Sequence, residues 1–584
     1  MAPLFVLPFA LALTGCPSTP PLSNAGGSGG SPAGGGGTAG SGGSGAATAQ
    51  GGTGGDIGIT GGGGGGPCAA KCSDDLQSVV DCNGQVVKTC PDDQGCGPNL
   101  ECIPACDAAK EAKSTVGCEY YTQQSAFGCF AAYVLNSWGA PITISLDNGG
   151  GTFDAAPISR IPTGNGQALT YEPLPDGKLP PNEVAIVFLA GSGFIECPAG
   201  VQPPGSFNGQ PFHLVTSAPV VAYDIDPYGG GDSAVTSASL LIPTSAWDTN
   251  YVAVAPWPFG PNSQNPRLTI TASEDDTMVT INPVADIPGV TTANTPYTFT
   301  LSKGQAMKFE QQAELTGSAI LSDKPIGVIG SSGCINIDAC CCDGAHQQIP
   351  PVRALGSEYV AVRYRNRVEG KEESPPWRIV GAVDGTVLTY DPAPPAPDAP
   401  TTLGLGQVFS FRAAGPFVVR SQDDDHPFYM SGYMTGGGDF NNAGDPEFVN
   451  VIPAKQYLSQ YTFFADPTYP ETNLVLVRSR DKDGDFQDVT LDCAGVLTGW
   501  QPVDAAGSYE YTRFDLVRFD FEKQGACDNG RREISSTAPF GLTVWGWGTD
   551  ATAPGFNSTY VSYAYPAGAR VQSINDVVVV PEPK

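Results

Sequence analysis

From Cys118 onward, short apolar runs alternate with polar turns along nearly the whole chain. Within a run, apolar and polar positions alternate with a period of two, which is typical of β-strands that bury one face. Gly, Pro, Asp and Asn residues separate the runs and supply the turns between strands. The pattern predicts an all-β protein built from successive antiparallel hairpins.

One phrase recurs four times: a polar turn, a proline and a run of β-forming residues. The prolines of this phrase are Pro219, Pro325, Pro427 and Pro539. They are spaced 102 to 112 residues apart. A second phrase, Ile-Pro followed by a run that starts with Tyr, opens at residues 242, 349 and 452 with a similar spacing. Repetition at a fixed period indicates repeated structural units.

Each repeat holds about seven short strands in about 105 residues, which fits a small antiparallel β-sandwich. We therefore predict four tandem β-units at residues 119–240, 241–347, 348–450 and 451–572, followed by a C-terminal tail at 573–584. An alternative stays open, because a chain of hairpins can also close as propeller blades, two to a unit. Periodicity alone does not separate the two architectures.

The first 16 residues resemble a lipoprotein signal peptide. A short apolar run, too short to span a bilayer, ends in Leu13-Thr14-Gly15-Cys16. This ending resembles the bacterial lipobox, whose cysteine is acylated and becomes the mature N-terminus. Pro17 rather than Asp follows, which in that family favours the outer membrane of a Gram-negative cell. We expect an exported chain, lipid-anchored through Cys16 to the outer membrane or cell surface; an ordinary signal peptide is the alternative.

Two further segments precede the strands. Residues 17–67 are almost wholly Gly, Ser, Ala, Thr and Pro, a composition that predicts a disordered tether. Residues 68–118 have too few aliphatic side chains for a core, so that disulfides would have to hold this small module together. Its eight cysteines are Cys68, Cys72, Cys82, Cys90, Cys96, Cys102, Cys106 and Cys118. Zinc is the alternative, although the module has no CxxC motif and no histidine.

The net charge and the cysteine content limit the classes of partner and the compartment that we expect. The chain has 29 Lys and Arg against 59 Asp and Glu, and its net charge of −30 repels nucleic acid and anionic lipid. We expect no nucleic-acid partner, and membrane contact only through the lipid anchor. The cysteines beyond the module also fall into even local sets, as expected for disulfides of an exported protein. They are Cys129 and Cys197; Cys334, Cys340, Cys341 and Cys342; and Cys493 and Cys527.

Several phrases occur in an order that resembles a known family. They are Lys324-Pro325-Ile326-Gly327-Val328, the cysteine loop that leads from Cys334 to Cys342-Asp343-Gly344-Ala345-His346, and Ile349-Pro350-Pro351 with Gly356-Ser357-Glu358-Tyr359. Over residues 119–570 the chain is similar to the N-terminal domain of the IgGFc-binding protein family. Members occur in animal mucus proteins and in many bacterial surface lipoproteins, so the resemblance implies an extracellular binding role.

Catalytic chemistry has little support in the sequence. Only three histidines occur, His213, His346 and His426, and the folded region has no Gly-x-Ser-x-Gly elbow. A Ser or Cys nucleophile usually needs a histidine within hydrogen-bond reach. We therefore predict no catalytic residue and no enzyme activity.

Two stretches hold residue types that can bind a metal. His346 follows the four cysteines at 334–342, which can hold zinc or pair as disulfides that fix the loop. A second stretch is a candidate Ca²⁺ site, since Ca²⁺ takes several carboxylate oxygens; its residues are Asp481, Asp483, Asp485 and Asp488. A solvated hairpin tip is the alternative there. The same two interpretations apply to Asp423, Asp424 and Asp425 and to Asp224, Asp226 and Asp232. No other cofactor is expected.

The sequence thus predicts a surface-anchored binding or adhesion lipoprotein whose β-repeats recognise an extracellular protein or glycan. Two alternatives remain, a hydrolase on a β-scaffold and a purely structural envelope protein. Tryptophans can form a sugar platform, but here they are spread over the units and alternate with apolar neighbours, as core residues do. They are Trp247, Trp257, Trp377, Trp500, Trp545 and Trp547.

Overall fold

The computed structural model describes most of the chain from residue 69 onward. The described residues are 69–81, 84–149, 151–192, 197–198, 200–201, 203, 210–230, 233–339, 342–552 and 558–583. Within them, 39 strands and one α-helix form the regular structure, so the predicted all-β class is confirmed. No helix in this part of the chain is long and apolar enough to span a membrane.

A small disulfide-rich module opens the described chain. Its strands are β1 (Lys71–Cys72), β2 (Ser78–Val80), β3 (Val86–Thr89), β4 (Gln94–Cys96) and β5 (Cys102–Pro104), and its helix is α1 (Ala105–Ala112). The module packs against the larger body. Trp138 is buried and donates its indole N–H to the carbonyl of Asp92, and Asp74 accepts the backbone N–H of Ser459 at 2.6 Å.

The other strands form four groups in chain order. The first is one nine-stranded sheet: β6 (Val116–Thr122), β7 (Gly128–Leu135), β8 (Ile144–Asp147), β9 (Thr152–Asp154), β10 (Ser159–Thr163), β11 (Thr170–Pro173), β12 (Val184–Ser192), β13 (Phe212–Ile225) and β14 (Ala238–Leu240). The second is one seven-stranded sheet: β15 (Asp248–Val252), β16 (Arg267–Ala272), β17 (Thr277–Asn282), β18 (Tyr297–Leu301), β19 (Ala306–Glu310), β20 (Ala319–Ile335) and β21 (Asp343–Gln348).

The third group is divided among sheets of three, four and two strands: β22 (Glu358–Ala361), β23 (Pro376–Gly381), β24 (Thr386–Val387), β25 (Thr389–Asp391), β26 (Thr402–Leu403), β27 (Val408–Arg412), β28 (Phe417–Arg420), β29 (Phe428–Met434) and β30 (Glu447–Asn450). The fourth is one nine-stranded sheet: β31 (Leu458–Ala465), β32 (Glu471–Ser479), β33 (Val489–Leu491), β34 (Gly495–Val496), β35 (Gln501–Pro502), β36 (Tyr509–Arg518), β37 (Glu522–Lys523), β38 (Gly530–Trp547) and β39 (Ser562–Pro566).

All named strand pairs lie within a group and are antiparallel. Short 3₁₀ turns connect some strands: Ala156–Ile158, Gly166–Ala168, Pro175–Gly177, Thr244–Ala246, Val352–Ala354, Gly437–Asp439 and Ala454–Gln456. Three of these directly follow the Ile-Pro phrases of the sequence. That each group folds as a unit of its own, with the boundaries given above, stays a prediction.

One long strand crosses between two layers in three of the groups. In β20, residues 319–321 pair with β15 and β17, whereas residues 329–331 pair with β16 and β21. Pro325 lies at the crossing, Pro219 and Pro539 lie inside β13 and β38, and Pro427 separates β28 from β29. A strand that switches sheets at a bend is a known way to make the corner of a β-sandwich.

In all four groups, a tyrosine hydroxyl forms a hydrogen bond to the backbone beside the repeated proline. The hydroxyl of a tyrosine in the first strand of each group donates to the carbonyl of the residue that follows the repeated proline. The pairs are Tyr120 with Val220, Tyr251 with Ile326, Tyr359 with Phe428 and Tyr461 with Phe540. This bond explains why the tyrosine and the proline recur together in the sequence.

Removal of one such hydroxyl tests this explanation. We expect Tyr359→Phe to lower the free energy of unfolding by about 1–2 kcal/mol, because the buried carbonyl of Phe428 loses its donor. Tyr297→Phe is the matched control, since the hydroxyl of Tyr297 forms no hydrogen bond with a described residue. Chemical denaturation followed by circular dichroism measures both. Equal effects would show that the bond does not stabilise the crossing.

The last strand of each group contributes to a shared centre. Strands β14, β21, β30 and β39 contact one another in a closed ring, each touching two of the others. Side chains of neighbouring groups also join common hydrophobic cores; for example, Tyr429 and Phe448 of the third group pack with Ile326 and Val328 of the second. The four strand groups of the described chain therefore share packed cores with one another.

The C-terminal tail returns to the second group. The side-chain amide of Asn250 donates to the carbonyl of Val579 at 2.7 Å and accepts the N–H of Val579 at 2.8 Å. Val579 is 3% exposed and packs into the core of the second group, whereas Val578 is 61% exposed. The tail thus joins the end of the chain to strands that lie more than 300 residues earlier.

Two neighbouring valines in the tail, one buried and one exposed, test whether the tail is docked on the second group. We expect Val579→Asp to destabilise the fold by about 2–4 kcal/mol, because it buries a carboxylate in an apolar core. Val578→Asp, on the exposed side, is expected to change stability by about 0.5 kcal/mol or less. Thermal melting and proteolytic release of a C-terminal tag measure both variants. Equal sensitivity would mean that the tail is not docked in solution.

Candidate functional site

The cysteines in the described residues all form disulfides. The pairs are Cys72–Cys96, Cys90–Cys102, Cys106–Cys118, Cys129–Cys197, Cys334–Cys342 and Cys493–Cys527. The predicted lipidation residue Cys16 and the candidates Cys68, Cys82, Cys340 and Cys341 lie outside the described residues. The Cys334–Cys342 bond uses two of the thiols that a zinc site beside His346 would need.

His346 lies in the interior, where an external ligand has no access. It is 1% exposed, and its Nε2 lies 2.8 Å from Oδ1 of Asp224 in the first group. Burial disfavours the imidazolium, but the charge and hydrogen bond of Asp224 offset this and raise the pKa of His346. Burial also raises the pKa of nearby Asp226 to about 6. These residues join the first two strand groups, and the cysteine loop is not an exposed binding loop at His346.

His213 is fixed between two carboxylates. Its Nδ1 lies 2.8 Å from Asp147 and its Nε2 lies 2.8 Å from Glu119, while its ring stacks on Tyr121 at 4.4 Å. The hydrogen bond from His213 lowers the pKa of Glu119 to about 2. With both ring nitrogens occupied, His213 has no free nitrogen to act as a general base. The third histidine, His426, pairs with Asp423 at 2.5 Å in the turn before Pro427.

The candidate Ca²⁺ residues form a compact hairpin tip. Asp481 accepts the N–H groups of Asp483 at 2.9 Å and Asp485 at 3.0 Å, and also the side-chain amide of Gln487. These hydrogen bonds to its carboxylate lower the pKa of Asp481. Asp483 pairs with Lys482. Across the described parts of the chain, no three His, Cys, Asp or Glu side chains are grouped to hold a metal.

The other acidic stretches also make internal contacts. Asp424 binds Lys455 and Ser357, and Asp224 and Asp226 are buried as described above. Asp232 lies outside the described residues. Of the six tryptophans considered as a sugar platform, Trp247, Trp377, Trp545 and Trp547 are buried, and Trp257 and Trp500 pack at the edge of hydrophobic cores.

A test with chelator addresses the hairpin tip. We expect the melting temperature to be the same in EDTA and in millimolar Ca²⁺, because the Asp481 carboxylate is already bound by backbone N–H groups. Differential scanning fluorimetry measures this, with Mg²⁺ as the control ion. A rise with Ca²⁺ that disappears in Asp481→Asn and Asp485→Asn would instead establish a calcium site.

The structure contains one open cleft of ligand size among its described cavities. It lies between the disulfide-rich module and the fourth strand group and has a volume of about 640 Å³. Two interior cavities between strand groups measure only about 40 and 30 Å³. Ligand sites usually occupy 300–1,000 Å³. We call it the module–sheet cleft.

The floor of the cleft is one face of the fourth sheet. Ser535 in β38 is paired on one side with Gln460 of β31 and on the other with Thr490 of β33, and Thr490 is paired in turn with Val496 of β34. Directly paired residues point to the same face, so these side chains form a row across four strands. Four strands at about 4.8 Å spacing make this row about 14 Å long.

Most of this floor is polar and has no partner. The side chains of Gln460, Thr490 and Ser535 form no hydrogen bond with any described residue, and Thr490 and Ser535 are exposed. Thr537, two residues along β38 from Ser535, binds only Gln487, at 3.2 Å. We call Gln460, Thr490, Ser535 and Thr537 the polar shelf. It presents hydroxyl and amide groups from a paired sheet, which fixes their positions.

The walls add a few charges and one aromatic ring. Lys71, Ser73 and Asp74 line the module side, and Phe486 and Asp488 line the other. Asp74 is occupied, because Ser459 donates to it from both its backbone N–H and its hydroxyl at 2.6 Å. The guanidinium of Arg480 lies over the ring of Phe486 at 4.3 Å.

Sequence reasoning singled out Asp488 but missed the rest of the cleft. Its residues come from the module, at 71–84, and from the fourth strand group, at 459–537, more than 370 positions later, and only tertiary packing joins them. One signal was visible in the sequence: the turn before the repeated proline carries charges at 323–324 and 423–426, but only hydroxyl groups at Ser535-Ser536-Thr537, as also at Thr216-Ser217. The turn at 535–537 lies in the cleft floor.

Comparison with known proteins supports the binding interpretation of the fold. The IgGFc binding protein family matches residues 237–546, which is more than half of the chain and covers the second, third and most of the fourth strand groups. No curated protein and no solved structure matches the chain. The family is one of binding domains, and its match together with the disulfides indicates an extracellular protein. On this match, the chain belongs to the IgGFc binding protein family.

Proposed function

We propose that this chain is a surface-anchored binding protein that captures an extracellular protein or glycan in the module–sheet cleft. The observation that carries the proposal is the polar shelf, in which Gln460, Thr490 and Ser535 form no side-chain hydrogen bond with a described residue and face a cleft of about 640 Å³. Polar groups left without partners on a fixed sheet face are available to a ligand at no cost of broken internal bonds. The ligand in the family's name, the Fc region of IgG, is one candidate among several.

We propose that the protein binds without catalysing a reaction and without a cofactor. The arrangement of the histidines supports this, because His213 is held by two carboxylates and His346 is buried. No specific observation favours the hydrolase.

Anchoring is the second part of the proposal. Cys16 is proposed to carry the lipid and residues 17–67 to separate it from the folded body, with the outer membrane or cell surface of a Gram-negative bacterium as its location. Metabolic labelling with a fatty-acid analogue is expected to mark the protein and to fail with Cys16→Ser. Equal labelling of both would disprove lipidation at Cys16.

The binding site is tested with a variant that fills the cleft. Full-length protein carrying Cys16→Ser is applied to an array of glycans and extracellular proteins that includes IgG Fc. We expect Ser535→Trp to abolish the observed binding and Thr300→Trp, at an exposed strand position of the second group, to retain it. Binding that is equal in the two variants would show that the cleft is not the site.

A further inference from the structure

We infer that the ligand of the module–sheet cleft is a neutral oligosaccharide. This inference rests on the proposed function and makes its ligand specific. It follows from three properties of the lining: the kind of hydrogen-bonding group, the lack of protein-binding anchors, and the charge.

The hydrogen-bonding groups match those of a sugar. Thr490 and Ser535 each present a hydroxyl, which can donate one hydrogen bond and accept two, and Gln460 presents an amide that does both. The hydroxyl of Thr537 donates to Gln487 and can still accept. A sugar hydroxyl has the same dual character, so each can be satisfied whichever way it points. The carboxylate of Asp488 has two oxygens and can accept from two adjacent sugar hydroxyls.

The cleft lacks the residues that hold protein partners. Among the described residues, its lining contains no Trp, Tyr or Arg, the residue types that dominate the energy of protein–protein interfaces. An extended peptide would need a free strand edge, but β38 is paired on both sides with β31 and β33, and the free edges at the cleft, β1 and β34, are only two residues long. Phe486 also lines the cleft, but the guanidinium groups of Arg480 and Arg478 lie over its ring at 4.3 and 5.3 Å, so the sugar is expected to be held by hydrogen bonds rather than by stacking.

Charge selects a neutral sugar over an acidic one. Among the described residues, Lys71 is the only cationic residue in the lining; Asp74 is acidic but pairs with Arg570 at 3.3 Å, so Asp488 is the remaining carboxylate. The whole chain carries a net charge of −30, which repels uronic acids and sulfated sugars at long range. Affinity for a neutral oligosaccharide is therefore expected to change little between low and physiological salt.

The test compares three classes of probe on the full-length Cys16→Ser protein. The probes are neutral oligosaccharides derived from dextran, mannan, cellulose and chitin, acidic oligosaccharides derived from hyaluronan and polygalacturonate, and IgG Fc with a peptide library. We expect binding to at least one neutral oligosaccharide, measured by calorimetry, and no binding to the acidic series.

Two matched double variants locate the contact. Thr490→Ala with Ser535→Ala removes two hydroxyls from the polar shelf and is expected to weaken neutral oligosaccharide binding about tenfold or more. Thr300→Ala with Thr402→Ala removes two exposed strand hydroxyls elsewhere and is expected to leave binding unchanged. Melting temperatures show that both variants fold.

The outcomes separate this inference from the proposed function. Binding of Fc or peptide that is lost in Ser535→Trp would keep the cleft as a binding site but overturn the sugar. Binding of acidic sugars, or of no sugar at all, would also overturn it. Neutral sugar binding that survives in both the double variant and Ser535→Trp would overturn the cleft itself.

Discussion

The melting temperature of Glu447→Gln is expected to exceed that of the parent protein at pH 8 and to match it at pH 4. Glu447 lies in β30, one of the four strands at the shared centre, and is fully buried. Its Oε1 accepts the N–H of Phe448 at 2.8 Å and the hydroxyl of Ser237 at 3.1 Å, and no cation pairs with it among the described residues. Burial raises the pKa of Glu447 well above its usual value.

The direction of the effect follows from proton binding. The folded protein holds a proton on Glu447 at pH values where the unfolded chain has released it. Stability from this group is therefore complete below a pH of about 4.5 and is lost as the pH rises through the folded-state pKa. Each pH unit in that window costs about 1.4 kcal/mol. Glutamine cannot ionise, so the variant avoids the loss.

A second buried carboxyl group in the ring of four strands is expected to show the same pH dependence. Asp343 in β21 is buried, and burial together with the charges of Asp445 and Glu447 raises its pKa well above its usual value. Asp343→Asn is expected to stabilise the protein at pH 8 in the same way. Glu369→Gln, at an exposed position, is the control for loss of one negative charge. Parallel pH curves for parent, Glu447→Gln and control would show that Glu447 is ionised in the folded protein.

Other buried groups shift stability in the same direction. Burial raises the pKa of Asp466, and the pKa of His213 is raised by its two carboxylate partners against the opposing effect of burial. Both contributions are lost as the pH rises through the folded-state pKa. The contribution of Glu119 to stability has the opposite pH dependence. Because the pKa of Glu119 is lowered to about 2, this contribution is lost only below a pH of about 4.5. The contribution of these groups to stability therefore falls as the pH rises above about 4.5, and Glu119 opposes it only below that pH.

The all-β class could be predicted from the sequence because it depends on the local pattern of apolar and polar residues. Period-two alternation and frequent turns predicted an all-β fold, and the repeated prolines marked the points where long strands cross between layers. The tyrosine phrase and the proline phrase each repeated visibly. Their hydrogen bond, such as that of Tyr251 to the carbonyl of Ile326, required the three-dimensional arrangement.

The centre and the cleft could not be read from the sequence, since both depend on contacts between distant segments. The position of His346 beside several cysteines suggested a metal site or a binding loop. Its actual partner, Asp224, lies 122 residues earlier in the chain. Trp138 shows no local sign that it joins the disulfide-rich module through Asp92. Spacing along a chain identifies local motifs, whereas these contacts arise from how four strand groups meet.

One buried side chain at the shared centre contacts strands of the other three groups. Gln347 in β21 is fully buried, and the two N–H groups of its Nε2 are shared among the carbonyls of Ala238 at 2.8 Å, Phe448 at 3.1 Å and Ala564 at 3.2 Å. These carbonyls belong to β14, β30 and β39, the closing strands of the other three groups. One amide therefore links all four groups at their centre.

We expect Gln347→Leu to lower the free energy of unfolding by about 3 kcal/mol. Leucine nearly preserves the volume, so the loss comes mainly from buried carbonyls that keep no donor, at about 1–3 kcal/mol for each unsatisfied group. Gln311→Leu is the matched control, because the amide of Gln311 also donates to two carbonyls, those of Asp286 and Ala313 at 2.9 Å, but near the surface where water can replace it. Urea denaturation followed by tryptophan fluorescence compares the two. A loss no greater than that of the control would mean that apolar packing between the groups, and not this amide, closes the ring of strands.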